Sequence, residues 1–145
     1  MVEPPMSLTR LLPALLVIPL ALSIGGCFAD AQPGEAHAMR KGFTYLGERF
    51  VNGRADHDAI GVGRADGRFH AIMVVVENAP VEMFDIAVTF GNGEVFTVPT
   101  RLVFGPDQTS RVIDLPGGGR NIRRVDFHYG NIPGQGQAKV ELWGR

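Results

Sequence analysis

Residues 111–129 read RVIDLPGGGRNIRRVDFHY, and this stretch decides the fold. Val112 and Ile113 open an apolar segment that stops at Pro116. Gly117 to Gly119 follow, a run that admits backbone angles resisted by residues with a Cβ. Val125, Phe127 and Tyr129 then alternate with Arg124, Asp126 and His128. A period of two residues marks a strand with one dry face and one wet face. The stretch therefore reads as strand, glycine-rich loop and strand, the two strands forming a pair at the centre of a small β domain.

The same alternation extends in both directions. Gly42 to Val51 reads as a first strand, with Gly47 placed for a bulge. The tetrapeptide Gly-Arg-Ala-Asp occurs at Gly53 and again at Gly63, and two turns flanking a short strand, Ala59 to Gly63, account for it. Phe69 to Glu77 is apolar on both faces, as a central strand must be. Val81 to Phe90 sets Phe84, Ile86, Val88 and Phe90 on one face, with Asp85, Ala87 and Thr89 on the other. Gly91-Asn92-Gly93 is a hairpin signal, because Asn-Gly suits a turn that needs positive φ. Glu94 to Val98 pairs back, Pro99 interrupts, and Arg101 to Phe104 resumes at an edge. In the last strand Ala138, Val140 and Leu142 point inward; Lys139, Glu141 and Trp143 point outward.

About eight short strands with turns roughly every eight to twelve residues predict an all-β fold, an antiparallel two-layer β-sandwich, with a small barrel as the alternative. Its domain spans residues 42–145. Ahead of it, Leu11 to Ile24 is an uncharged apolar run broken by Pro13 and Pro19 and too short to span a bilayer comfortably. Residues 1–27 read as a signal peptide and residues 28–41 as a flexible tether.

Ile24-Gly25-Gly26-Cys27 resembles the lipobox of bacterial lipoproteins. That resemblance implies lipidation of Cys27, and Phe28 after it, in place of the aspartate that retains such proteins at the inner membrane, implies an outer-membrane anchor. A rival site, Ala29-Asp30-Ala31, would release a soluble periplasmic protein beginning at Gln32. With one cysteine in the chain, no intrachain disulfide forms, and stability must come from packing.

Tyr45-Leu46-Gly47, Asp58-x-Ile60, Phe69-x-x-Ile72, Arg111 to Leu115 and Ala138-x-Val140 resemble an uncharacterised family of small exported bacterial β proteins, a domain of unknown function. The likeness covers most of residues 43–145. It implies an exported all-β protein and supplies no activity or catalytic residue.

A net charge of −1 argues against nucleic acid as a partner, since phosphate binding needs a basic surplus. Gly117, Gly118 and Gly119 beside Arg120 and Arg123 form a candidate anion site, backbone N–H groups and guanidinium forks being suited to phosphate or sulfate. No P-loop spacing is present and no helix follows, and a tight, glycine-permitted turn is the first explanation of the glycines. Asp56, Asp58 and Asp66 form a weak candidate metal site, because calcium favours oxygen-rich loops; aspartates also initiate turns. Arg124, Asp126 and His128 form either a binding or acid/base row or a solvated face with cross-strand charge pairs. The four histidines show no metal-ligand spacing. Past the tether Ser110 is the sole serine, so a nucleophilic hydrolase is hard to build. The reading is a non-catalytic envelope module without a cofactor, held by a lipid anchor, whose partner is an unknown envelope protein or glycan. Carbohydrate or anion binding is the second reading, and an enzyme of unrecognised type the third.

Overall fold

The computed structural model describes residues 33–51, 56–131 and 136–145. Period-two alternation becomes strand pairing throughout. The strands are β1 (Thr44–Val51), β2 (Asp56–Gly61), β3 (Ala71–Glu77), β4 (Val81–Phe90), β5 (Val95–Phe104), β6 (Gln108–Thr109), β7 (Ile113–Asp114), β8 (Ile122–Asn131) and β9 (Ala138–Gly144). One sheet runs β1-β9-β3-β6, with β7 also on β3; the other runs β2-β8-β4-β5. All pairings are antiparallel. The two sheets form the expected sandwich.

The inner layer draws on both sheets. Ile72, Val74, Val76, Val140 and Leu142 meet Ile60, Ile86, Val88, Phe90, Val125 and Phe127 in one buried cluster. Each such side chain contributes roughly 1.5–3 kcal/mol of burial. Val125, Phe127 and Tyr129 are buried, as their alternation requires. Gly47 sits at a bulge between Tyr45 and Gly47, and its φ of 150° explains the glycine there.

β3 is buried at all seven positions because a second layer covers its outer face. Ala71, Met73, Val75 and Trp143 pack there with Phe43 and Ala38. Ala38 belongs to helix α1 (Pro33–Arg40), which lies within the segment expected to be a flexible tether. Pro33 suits the first turn of a helix and Glu35 its positive end. Eight residues are too few for a stable isolated helix, so docking on the sheet supplies what local propensity does not. A Cβ on Gly34 would collide with Val75 Cγ1, which shows how closely α1 approaches.

Three expectations are corrected. Ile113 and Asp114 do not pair with β8; they pair with Ile72 and Ala71 of β3, so the triple-glycine loop passes between sheets. Of β7 and β8, only β8 is a long interior strand, flanked by β2 and β4. Phe84 is not a core residue: a register shift between Met83 and Asp85 turns it outward, and it is 38% exposed. Pro99 does not interrupt; β5 runs through it as an edge strand, with Pro99 opposite Asp85 at that same shift. Cys27 and the signal segment lie outside the described residues.

Candidate functional site

The loops joining the sheets at one end build a cleft of about 290 Å³. Arg64, Arg68, Phe90, Gly91, Asn92, Arg120 and Asn121 line it. Arg64 lies in a single 3₁₀ turn, Arg64–Asp66. Phe90 ends β4, and Gly91 and Asn92 form the hairpin turn that the Asn-Gly pair called for. Arg120 and Asn121 follow the glycine run, where Gly117 and Gly118 have φ of 85° and 71°. Only such left-handed angles let the chain reverse within so few residues.

The backbone fixes this end firmly. Phe69 and Arg120 exchange N–H···O bonds of 2.8 and 2.9 Å, and Gly91 N–H donates to Asn121 O at 2.9 Å. Arg120 lies 3.6 Å above the Phe90 ring centroid. Its Nη2 donates to Glu94 Oε2 at 2.6 Å and to Asn92 Oδ1 at 3.1 Å. Hydrogen bonds from Arg120 and Asn92 hold the Glu94 carboxyl below its ordinary range. Arg120 is therefore a wall of the cleft, stacked and paired.

Arg68 anchors by Nε to Gly119 O at 2.8 Å, and Asn121 Nδ2 donates to Gly67 O at 2.8 Å. Among the described residues no carboxylate pairs with Arg64 or Arg68. Among the described residues the cleft thus gathers three guanidinium groups against one carboxylate, Arg64 and Arg68 standing in no ion pair.

Of the predicted anion set, the structure puts Arg120 on the cleft and Gly119 beneath Arg68. Gly117 and Gly118 shape the turn. Arg123 is exposed and does not line the cleft. The sequence reading missed Arg64 and Arg68, which lie more than fifty residues upstream; the second Gly-Arg-Ala-Asp turn was the available signal.

Asp56, Asp58 and Asp66 are not brought together as a metal site. Each serves another bond: Asp56 Oδ1 accepts from His57 N–H at 2.8 Å, Asp58 accepts from the Tyr129 hydroxyl on the neighbouring strand, and Asp66 Oδ2 accepts from Gly63 N–H at 2.6 Å. The turn-forming reading fits Asp66, in the 3₁₀ turn, whereas Asp56 and Asp58 lie on strand β2.

The Arg124–Asp126–His128 row lies on the outer face of β8, joined across the sheet by His57 and Asp85. His57 bonds Asp126 at 2.9 Å, Arg124 bonds the same carboxylate at 2.9 Å, and His128 bonds Asp85 at 2.6 Å. The two imidazoles stack at 4.6 Å with planes 26° apart. Near-parallel rings do not aim their lone pairs at one point, so the pair is not built to chelate. The row is a set of side-chain pairs, Arg124 with Asp126 along β8 and the two His–Asp bonds across strands. Ser110 is buried; its Oγ accepts from Val74 N–H at 3.0 Å and donates to Arg111 O at 2.7 Å. Both roles are structural, and neither leaves a nucleophile facing a substrate.

A family model described as "Domain of unknown function (DUF2541)" matches residues 14–144. Over 65 residues, 42% of this chain, the sequence is 43% identical to 4-hydroxy-3-methylbut-2-en-1-yl diphosphate synthase (flavodoxin) of Hyphomonas neptunium (strain ATCC 15444). The match spans only 16% of that relative's length. Among solved structures, Pseudomonas aeruginosa AlgX aligns with a TM-score of 0.45 at 11% identity, covering 70% of this chain and 26% of AlgX. A point mutant of the family 29 carbohydrate-binding module CBM29-2 aligns with a TM-score of 0.37 at 21% identity, covering 72% of this chain and 76% of the module.

Proposed function

The chain belongs to the DUF2541 family, a domain of unknown function, and from its own geometry we propose a non-catalytic β-sandwich module that binds anionic groups at the cell envelope. The observation that carries this reading is the cleft itself: Arg64, Arg68 and Arg120 around about 290 Å³, with Glu94 the one carboxylate engaged there among the described residues. Guanidinium forks recognise carboxylate, sulfate and phosphate oxygens in the same planar fashion. The amides of Asn92 and Asn121 add adaptable donors and acceptors beside them. An anionic glycan offers such groups in the envelope.

Anchoring is the second part of the proposal. The lipobox-like Ile24-Gly25-Gly26-Cys27 supports acylation of Cys27 and placement at the outer membrane. Mass spectrometry of the mature N-terminus tests it: a diacylglyceryl cysteine supports the anchor, and a chain beginning at Gln32 replaces it with a soluble periplasmic form.

Binding is tested by calorimetric titration with oligogalacturonate, inorganic phosphate and sulfate, with a neutral cello-oligosaccharide as control. The expected result is binding of at least one anion, weakened by salt and lost in the Arg64→Ala/Arg68→Ala double variant. Arg120 is left intact because it holds the loop. Anion binding that survives in the double variant, or preference for the neutral sugar, overturns the reading.

A further inference from the structure

On the outer face of the five-stranded sheet, carboxylates from four elements converge on one lysine. Lys139 Nζ lies 2.6 Å from Glu77 Oε2 on β3 and 2.7 Å from Glu141 Oε1 on β9. It lies 3.4 Å from Glu35 Oε1 on α1 and 4.0 Å from Glu48 Oε2 on β1. Register creates the cluster: Glu77 stands opposite Lys139, and Glu48 opposite Glu141.

Glu77 and Glu141 are each 1% exposed. One ammonium matches only one of the two buried carboxylates, and the other lies where water does not reach it. Like charges facing each other across a strand pair add repulsion. Trp143 Nε1 donates to Glu141 Oε2 at 3.0 Å, which satisfies that side. Glu77 Oε1 is buried and has no hydrogen-bond partner among the described residues. A proton placed there would find no acceptor, whereas a metal ion would use that lone pair directly.

The spacing suits an ion. One oxygen from each of Glu35, Glu77 and Glu141 lies within 4.8 Å of the others. Oxygens about 2.3–2.6 Å from a calcium ion are separated by at most about 5 Å. We infer that Glu35, Glu77 and Glu141 form a site for a hard divalent cation, calcium by preference, which takes the place of the Lys139 ammonium. All-oxygen ligands select against softer metals. Calcium is favoured over magnesium because carboxylates fixed on a helix and two strands do not form a near-ideal octahedron. Lys139 can leave, since its side chain is 17% exposed and its long stem lets the charged end reach solvent. The bound ion ties α1 to β3 and β9.

The test is calorimetric and thermal titration of the chelator-treated protein with Ca²⁺, Mg²⁺ and Mn²⁺. One Ca²⁺ per chain is expected, with Kd about 10⁻⁴–10⁻³ M because the lysine must be displaced. The melting temperature then rises with the logarithm of calcium concentration. Glu77→Gln and, as the milder change near the surface, Glu35→Gln each weaken binding at least about ten-fold. Lys139→Met, which removes the competitor, tightens it by a similar factor. The triple change Asp56→Asn, Asp58→Asn, Asp66→Asn leaves it unchanged. Absence of heat and of any melting shift in both the native chain and Lys139→Met overturns the site, and so does binding that persists in Glu77→Gln or Glu35→Gln.

Discussion

Glu placed at residue 84 separates the observed fold from simple alternation. By sequence spacing Phe84 shares a face with Ile86, Val88 and Phe90, and a charge there would enter the core. In the structure the register shift between Met83 and Asp85 turns Phe84 out of the sandwich, over Gly130 and near Arg101. At 38% exposure, Phe84→Glu loses part of the burial of one aromatic ring, about 1–2 kcal/mol, and buries no charge. Arg101, whose Cζ is 6.0 Å from the ring centroid, offers the new carboxylate a partner. Ile86 is fully buried, so Ile86→Glu buries an unpaired charge and costs more than a small domain can bear. The assay is thermal unfolding followed by fluorescence of the single tryptophan, Trp143, which is buried. Phe84→Glu is expected to fold, with a melting temperature lower by about 4–8 °C per kcal/mol lost. Ile86→Glu is expected not to fold. Equal collapse of both variants would refute the bulge and restore Phe84 to the core.

Tyrosine titration gives a second prediction. Burial and then its bond to Asp58 push the hydroxyl of the buried Tyr129 well above the ordinary tyrosine range, and partial burial and then Glu48 push Tyr45, 44% exposed, up to about 12. The folded chain then holds protons that the unfolded chain releases near pH 10, so stability falls as pH rises from about 10 toward 12. Absorbance at 295 nm should stay flat through pH 10.5 until the protein unfolds or pH nears 12; half-ionised tyrosine at pH 10 in folded protein contradicts this. Third, a Cβ on Gly144 would lie 2.7 Å from both Leu46 Cδ1 and Phe69 Cδ1. Gly144→Ala should cost about 1–3 kcal/mol in urea unfolding, and a neutral result would show that β9 ends with more room than the packing gives it.

The strands that carry both signals, alternation and a turn, were legible. Val125, Phe127 and Tyr129, the central run from Phe69 to Glu77, the hairpin at Asn92 and the bulge at Gly47 all stand where their spacing put them. What escaped depends on contacts remote in sequence. Pairing of β7 with β3 rather than β8 depends on which strand edge is open. The shift at Met83 to Asp85 moves Phe84 without changing the apolar pattern. Helix α1 has too few residues to announce itself and is held by Val75 and Trp143 of the sheet it covers. The same limit applies to the sites. Arg120 was visible beside its glycines, but Arg64 and Arg68 join it through the Phe69–Arg120 bridge and the bonds of Arg68 to Gly119 and Asn121 to Gly67, all remote in sequence. Glu77 and Lys139 are 62 positions apart in sequence and meet because β3 pairs with β9.

The central claim is that the cleft holds an anion. The most direct measurement is a ¹H–¹⁵N NMR titration of the protein with oligogalacturonate, phosphate and sulfate, recording backbone amides together with arginine Nε–H and asparagine side-chain signals. Shifts that concentrate on Arg64, Arg68, Asn92, Arg120 and Asn121 and saturate with an anion are the predicted result. Shifts centred instead on His57 and His128, or none at the cleft with any of the three anions, would contradict it.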